Sequence, residues 1–483
     1  MRKSVGNRRT YLGWAVMVLS PFLLLGILSL AMGRNAFSAR PVWTDELDLW
    51  RSLLSFSKAG FHTGANGYFE ITASWGNLGV NGIAPVLLYG WAVKLFGLSE
   101  SAIVIGNALW MAVAALVFCM ICKPRPAVAF TLAGMMVFYL PILLYCTASM
   151  MEWAGYALML LFLAFMMGYH QYHKAWMLVL GAAVIAIGCL IHPAYALLLV
   201  PAALVVSDFR WNHRLAVAIP CALALAVLCL LIRRQVTSPY ASSFLHQLLN
   251  ADGPSVAWRM LLSHGKANIM DFLYRVTLAE RLFFGLYLCV MLACLVCSFL
   301  KRNQGFRRNF LGCSLLLLAV FGLTCAFYEI RDWRGLRLMA PFLWLVIGYL
   351  AIRRRYWLST VSLACCAVTV AVVLAVQPLP VFQEEARYES QPASEALRQA
   401  IDVIHYDESA SDPFANTVRT DASYLLQFMR QLDPAIGVQS GWFSTDTTGK
   451  SRWILTDQLK CVINDYECVA DTNGYKVYRR LEQ

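Results

Sequence analysis

Three carboxylates stand close together near the start of the chain, in the stretch RPVWTDELDLW at 40–50. They are Asp45, Glu46 and Asp48, the first acidic residues of the sequence. A carboxylate held beside a hydroxyl can take its proton as a general base. A plainer interpretation is a solvated helix start, with Thr44 as the N-cap and the acids in the first turn. The elements around this stretch must decide between the two.

The composition indicates that those elements lie in a membrane. The chain has 483 residues, 59% of them hydrophobic, and apolar runs of roughly 20 residues recur, each long enough to cross a bilayer core. The predicted fold class is therefore a polytopic α-helical membrane protein. The chain has a net charge of +12, and its basic excess belongs to residues 1–375, which carry 30 Lys and Arg against 12 Asp and Glu. Basic loops set orientation there, so the charge does not indicate a nucleic-acid partner.

Eleven apolar runs are expected to span the bilayer, and the first is expected to be retained because no cleavage site follows it. The run at 82–97 is short and contains Pro85 and Lys94, and we predict a juxtamembrane helix there. The predicted spans are 11–32, 102–121, 126–145, 153–169, 175–191, 194–206, 215–232, 282–300, 310–328, 338–352 and 356–375.

The basic residues orient these spans. If 82–97 does not cross, the inner segments hold 16 Lys and Arg and a single acid, Asp208. The amino terminus is then cytoplasmic and the carboxyl terminus lies outside. The chain has no Asn-x-Ser/Thr sequon, which favours the inner (plasma) membrane of a bacterium over the endoplasmic reticulum.

Large outer segments follow from this topology. They are 33–101, 233–281 and the tail 376–483, which alternates helix-like and strand-like stretches and is predicted to form a small extracytoplasmic α/β domain beside the membrane domain 1–375. A turn at the outer face is expected at His192-Pro193, because proline disfavours helical geometry at the residue before it. Cys461 and Cys468 in the tail are expected to form a disulfide.

The order of first helix, acidic pair, long outer loop and juxtamembrane helix resembles the GT-C glycosyltransferases. It is most similar to the group of protein O-mannosyltransferases and aminoarabinose transferases, which use polyprenyl-phosphate sugar donors. In this superfamily an acidic pair after the first helix carries the catalytic carboxylate, and Asp45-Glu46 stands in that place. The stretch WGNLGVNGIAP departs from the family, which has a basic residue beside two prolines there. The matching positions further along are Pro85, Tyr89, Phe96-Gly97 and Ser99-Glu100.

The resemblance implies further site residues. Glu152, in TASMMEW, matches a second acidic residue of the family, although an interfacial Glu that faces water is an alternative. Arg334 and Arg337, in RDWRGLRLMAPFLWL, match a late helix start and are expected to bind the donor phosphate, with lipid-headgroup contact as the alternative. His192 matches a Lys or His position and is expected to assist them, although a lone His more often satisfies a backbone group.

The function implied is transfer of a sugar from a polyprenyl-phosphate donor to a glycan, lipid or protein acceptor at the extracytoplasmic face, with inversion and with Asp45 as general base. Some relatives use a divalent metal, and the sequence shows no metal-ligand spacing, so the cofactor is left open. One alternative is a polysaccharide polymerase or O-antigen ligase, which would place its main outer loop between late spans. Another is a non-enzymatic lipid-glycan transporter, which would place charges near mid-bilayer and show internal repeats.

Overall fold

The protein is a helical bundle that carries a mixed β-sheet near its C-terminus. The structure is a computed structural model, and it describes residues 2–72, 75–79, 81–97, 99–206, 211–236, 244–300, 304–330, 334–353, 356–376, 384–388, 393–421, 426–440, 449–457, 465–472 and 474–481. The polytopic helical fold with a small C-terminal α/β region is confirmed. The predicted pair Cys461–Cys468 lies partly outside the described residues, at Cys461.

Sixteen helices precede the C-terminal region in the described chain. They are α1 (Arg2–Met32), α2 (Thr44–Ala59), α3 (Ala84–Phe96), α4 (Ala102–Cys122), α5 (Pro126–Phe138), α6 (Leu140–Tyr145), α7 (Glu152–Tyr172), α8 (Ala175–Ile191), α9 (Leu199–Val206), α10 (Trp211–Val236), α11 (Phe244–Leu249), α12 (Pro254–Tyr274), α13 (Leu278–Leu300), α14 (Gln304–Phe327), α15 (Arg334–Ile352) and α16 (Tyr356–Val376).

Each predicted span corresponds to one or two of these helices. Within the described residues, six helices are long and apolar enough to cross a membrane, and shorter apolar helices accompany them. The total of eleven spans stays a prediction. The six are Arg8–Met32, Ala102–Cys122, Glu152–Tyr172, Leu278–Leu300, Arg307–Phe327 and Gly335–Ile352.

Two interruptions of the helices have local causes. The span predicted at 126–145 divides into α5 and α6 at Tyr139, whose backbone is extended and which is followed by Pro141 in the first turn of α6. The turn predicted at His192 is present: its backbone is extended (φ −152°, ψ 124°), and a 3-10 helix, Pro193–Leu198, follows. The break at His192 follows from the limit that Pro193 places on the residue before it. At Tyr139 the cause is that Pro141 has no N–H for the helical hydrogen bond and clashes with the preceding turn, so α5 cannot continue.

The C-terminal region is built on a six-stranded sheet in the order β1-β3-β2-β4-β6-β5. The first four strands in this order are parallel, whereas β4, β6 and β5 pair antiparallel. Two short helices, α17 (Glu395–Ile401) and α18 (Leu426–Gln431), lie in the same region. The strands are β1 (Gly67–Tyr68), β2 (Thr417–Thr420), β3 (Gly437–Ser440), β4 (Trp453–Thr456), β5 (Tyr466–Thr472) and β6 (Tyr475–Arg480).

Strand β1 comes from the first outer segment, so the two parts of the chain share one sheet. The backbones approach closely beside it: a Cβ on Gly64 would lie 1.7 Å from the carbonyl oxygen of Asn416. A Cβ on Gly437 would lie 2.3 Å from the carbonyl carbon of Gly64. Glycine at both positions permits this contact, which connects segment 33–101 to the tail. The predicted domain boundary at residue 375 stays a prediction.

Arg51 on α2 makes a second connection between this segment and the tail. Its buried guanidinium donates to the carbonyl oxygens of Met429 (3.1 Å), Leu432 (3.1 Å) and Ile436 (2.9 Å), and to that of Asp433. These carbonyls lie at the end of α18 and just beyond it, where a helix leaves acceptors without intrahelical partners. Burial, partly opposed by Asp433, lowers the pKa of Arg51 to about 9. Helix α2 is thereby held against the C-terminal end of α18.

Candidate active site

The acidic pair lies at the start of α2. Trp43 occupies the N-cap position in extended geometry, and Thr44 is already helical. The prediction that Thr44 is the N-cap was therefore wrong by one residue. The reason is that Glu46 folds back and accepts hydrogen bonds from the backbone N–H groups of Val42 (2.9 Å) and Trp43 (3.0 Å), which fixes the helix start at that point.

Adjacent residues on an α-helix point about 100° apart, and the two acids face different surroundings as a result. The side chain of Asp45 is 53% exposed and that of Glu46 is fully buried. Only one of the pair can therefore meet a substrate in this arrangement.

Arg337 joins Asp45 to Glu152. Its Nη1 lies 3.2 Å from Oδ2 of Asp45, and its Nε lies 3.3 Å from Oε1 of Glu152. The three residues come from the first turns of α2, α7 and α15, and Asp45 and Arg337 are 292 positions apart in the chain. Three helix starts thus converge on a single guanidinium.

Tyr145, at the end of α6, completes this cluster. Nε of Arg337 donates to its hydroxyl at 3.3 Å, and the guanidinium carbon lies 5.8 Å from the ring centroid. The other oxygen of Glu152, Oε2, is buried and has no hydrogen-bond partner among the described residues. A buried carboxylate oxygen without a donor is uncommon in folded proteins and marks a place where a ligand group can bind.

Glu46 lies behind this cluster in a fully buried ion pair with Arg387 of the tail. Nη1 and Nη2 of Arg387 lie 2.8 Å and 3.1 Å from the two carboxylate oxygens. Burial lowers the pKa of Arg387, but the charges of Glu46 and Glu384 outweigh it, so the pKa is raised. The guanidinium also lies 5.0 Å from the ring centroid of Trp43.

The loop between α6 and α7 is fastened by the same pair. The backbone N–H of Ser149 donates to Oε1 of Glu46 at 2.7 Å, and Arg387 donates to the carbonyl oxygen of Thr147 at 3.1 Å. On its other side, Asn107 of α4 donates to the carbonyl oxygen of Met150 at 2.7 Å. Because Glu152 follows this loop directly, the buried pair positions both carboxylates of the cluster.

The structure brings together Asp45, Glu152 and Arg337 of the predicted site residues. Glu46 adjoins them but faces the interior. His192 lies in a second cluster, where Nε2 is hydrogen bonded to the hydroxyl of Tyr328 and Nδ1 accepts from the backbone N–H of Ala194 at 3.1 Å. The side chain of Arg334 lies outside the described residues, so its predicted role stays a prediction.

The donor set at this site does not fit a resident divalent metal. In the part of the chain that the structure describes, no three His, Cys, Asp or Glu side chains are grouped as ligands. Asp45 and Glu152 share a guanidinium instead, and that group occupies the position between them that a cation would take. An arginine therefore bridges the two carboxylates of this site.

Comparisons with known proteins find similarity in structure alone. Two structures of ArnT from Cupriavidus metallidurans match nearly the whole chain. The one bound to undecaprenyl phosphate is 14% identical, with a TM-score of 0.41, and the match covers 97% of each chain. The apo structure is 13% identical, with a TM-score of 0.41, and the match covers 95% of this chain and 97% of that one. No family model and no curated protein matches the chain.

Several functional contacts were missed from the sequence. Tyr145 ends an apolar run like many others, and nothing nearby distinguishes it. Arg387 and Glu384 stand in a polar tail, where charged residues are ordinary. Asp48 adjoins the site through the charge of Asp45, and its place three positions after Asp45 on a helix is the signal in the sequence for this proximity.

Asp48 lies one turn along α2 from Asp45, beside the backbone of Gly79. Nδ2 of Asn81 donates to its Oδ2 at 3.4 Å. A Cβ on Gly79 would lie 3.1 Å and 3.2 Å from the two carboxylate oxygens of Asp48, so the loop covers the group closely. Burial and the charge of Asp45 raise the pKa of Asp48 to about 7, against the opposing hydrogen bond from Asn81.

This raised pKa predicts that Asp48 destabilises the fold as the pH increases. The folded state holds the proton more tightly than the unfolded state, whose pKa is the ordinary 3.8, so the stability due to this group is present at low pH and is lost between the two values. We expect the thermal midpoint of Asp48→Asn, minus that of wild type, to increase from pH 5 to about 7 and then to level off. The exposed acid Asp402, changed to asparagine, is the control, and a flat difference for Asp48→Asn would contradict the assignment.

Proposed function

We propose that the protein is a membrane glycosyltransferase that moves a sugar from a polyprenyl-phosphate donor to an acceptor hydroxyl at the extracytoplasmic face. The observation that carries this proposal is the bridge of Asp45 and Glu152 by Arg337 at three helix starts. A base for the acceptor and a cation for the leaving phosphate then lie together at headgroup depth, where a lipid-linked donor presents its reacting bond. Charged groups placed at a membrane edge are costly, which favours a functional site over a chance cluster.

The proposed reaction is a direct displacement. The acceptor oxygen attacks the anomeric carbon as the bond from that carbon to the phosphate oxygen breaks, and the acceptor proton passes to Asp45. The leaving group is polyprenyl phosphate, whose charge Arg337 can stabilise through two parallel N–H donors. Attack from the opposite side gives inversion at the anomeric carbon.

Arg337 must exchange partners for this to occur. Without donor it contacts two carboxylates, so the cluster carries one net negative charge. A donor phosphate can take over Nη1 from Asp45, which frees that carboxylate to accept a proton, while Glu152 and Tyr145 keep Nε in place. We propose that Arg334 supplies the further positive charge that a phosphate needs. His192, whose Nδ1 accepts from Ala194, would contribute a neutral N–H donor through Nε2.

Replacing Arg337 with glutamine tests this function. We expect kcat/KM for a polyprenyl-phosphate sugar to fall by about 10²–10³-fold, the typical effect of losing one preorganised donor to a developing negative charge. The assay measures release of polyprenyl phosphate from a radiolabelled donor in proteoliposomes, with a bacterial membrane extract as the source of acceptors.

Arg275→Gln is the control, because Arg275, in the predicted outer segment 233–281, is a 67% exposed arginine that pairs with one acid, Asp271, at 3.4 Å and lies outside the cluster. Equal rates in the two variants would remove the phosphate role from Arg337. Movement of intact labelled donor across the bilayer without sugar transfer would instead support the transporter alternative.

A further inference from the structure

A cavity lies among α7, α9, α14 and α15, with a volume of about 320 Å³. This size is within the range of small-molecule and cofactor sites in proteins, about 300–1,000 Å³. Each of the four helices contributes to its lining, and none of the predicted site residues does.

The cavity lies at the end of the bundle opposite the candidate active site. Glu152 is the first residue of α7, and His170, near the end of that helix, lines the cavity. Arg337 is in the first turn of α15, and Arg353, directly after its last residue, also lines the cavity. At a rise of about 1.5 Å per residue, the stretch from Arg337 to Arg353 is about 24 Å long. The two sites are therefore separated by most of the thickness of a hydrocarbon core.

The lining of this cavity has two parts. One end is polar, with His170, Asn309, Tyr349 and Arg353. The remainder is apolar and includes Phe162, Leu316 and Leu345. A ligand that matches both parts has a charged or polar head and a hydrocarbon chain.

Arg353 determines the charge of that head. Its guanidinium carbon lies 5.7 Å from the ring centroid of Tyr349. Its Nε is buried and has no hydrogen-bond partner among the described residues. A buried guanidinium N–H requires an acceptor, and a phosphate oxygen meets that need with a charge-assisted hydrogen bond.

We infer that this cavity binds an anionic phospholipid, with the phosphate at Arg353 and an acyl chain between the helices. Charge complementarity favours this occupant, since Arg307 and Arg308 are exposed at the same end of α14 and attract anionic headgroups. By the topology proposed from the basic loops, this end faces the cytoplasmic leaflet. The inference does not depend on sugar transfer.

The test measures lipid binding to the delipidated full-length protein in detergent by native mass spectrometry. Phosphatidylglycerol is compared with phosphatidylcholine of the same acyl chains, and with inorganic phosphate alone. We expect wild type to retain phosphatidylglycerol preferentially and Arg353→Gln to bind it about tenfold more weakly or worse. Arg275→Gln, which removes a 67% exposed charge that does not line the cavity, is expected to bind it like wild type.

A second variant keeps the test decisive if Arg353→Gln does not fold. Cys313 lines the cavity, and Cys313→Phe fills it while leaving the charge of Arg353 in place, so it is also expected to lose the lipid. Equal retention of both lipids, equal effects of Arg353→Gln and Arg275→Gln, or competition by inorganic phosphate alone would each overturn the inference. Asp45→Asn should leave binding unchanged, which separates this result from the proposed transfer.

Discussion

Replacing Asp45 with asparagine is expected to lower kcat for sugar transfer by about 10²–10⁴-fold, the usual contribution of a positioned general base. Asparagine keeps the size of the side chain but cannot accept the acceptor proton. Because Asp45 is 53% exposed, the change should leave the thermal midpoint close to that of wild type. The measurement is kcat and donor KM in proteoliposomes, together with thermal unfolding of the same preparation.

The change in donor KM shows whether Asp45 acts only as the base or also contributes to donor binding. If it acts only as base, kcat falls and donor KM stays the same or decreases, because Arg337 loses a competitor for the phosphate. Glu385→Gln is a matched control, since Glu385 is a 70% exposed acid that pairs with one arginine, Arg34, at 3.5 Å. A wild-type kcat in Asp45→Asn, with loss of activity in Glu152→Gln, would assign the base to Glu152 instead.

The features that hydropathy and proline determine could be predicted from the sequence. Apolar runs become helices because a bilayer core leaves backbone groups no other partner than the helix itself. The turn at His192 is present because Pro193 disfavours a continuous helix there. Asp45, Glu152 and Arg337 could be named since a resemblance in chain order singled out their positions.

The contacts that join distant parts of the chain could not be predicted. Glu46 and Arg387 are 341 positions apart, and no local pattern connects an acid in a helix start with an arginine in a polar tail. Strand β1 is two residues long, too short for any alternation of polar and apolar residues to show. Which acid of the pair is exposed depends on how α2 is rotated relative to its neighbours. The sequence does not show this rotation, since both residues are carboxylates next to each other.

Glu46 is expected to position other residues through its buried contacts. Its replacement by glutamine is therefore expected to destabilise the protein strongly. Oε1 accepts from Ser149 and Arg387, and Oε2 accepts from Val42, Trp43 and Arg387. A glutamine must place its NH₂ group at one of these positions, where it would face donors with its own hydrogens. Among the described residues, the buried Arg387 then keeps only Glu384 as an acidic partner, and breaking a buried ion pair costs up to about 3–5 kcal/mol.

Thermal unfolding and activity together distinguish this role from catalysis. For Glu46→Gln we expect a midpoint lowered by on the order of 5 °C or more, with transfer lost in parallel as the loop before Glu152 loosens. Adding Arg387→Met should cost little more, since the two residues share one interaction and their effects are not additive. Glu395→Gln, at an exposed position of α17, should leave the midpoint unchanged. Loss of activity in Glu46→Gln at an unchanged midpoint would show that Glu46 takes part in the chemistry, because a residue that acts by holding the fold cannot lose its partners without loosening it.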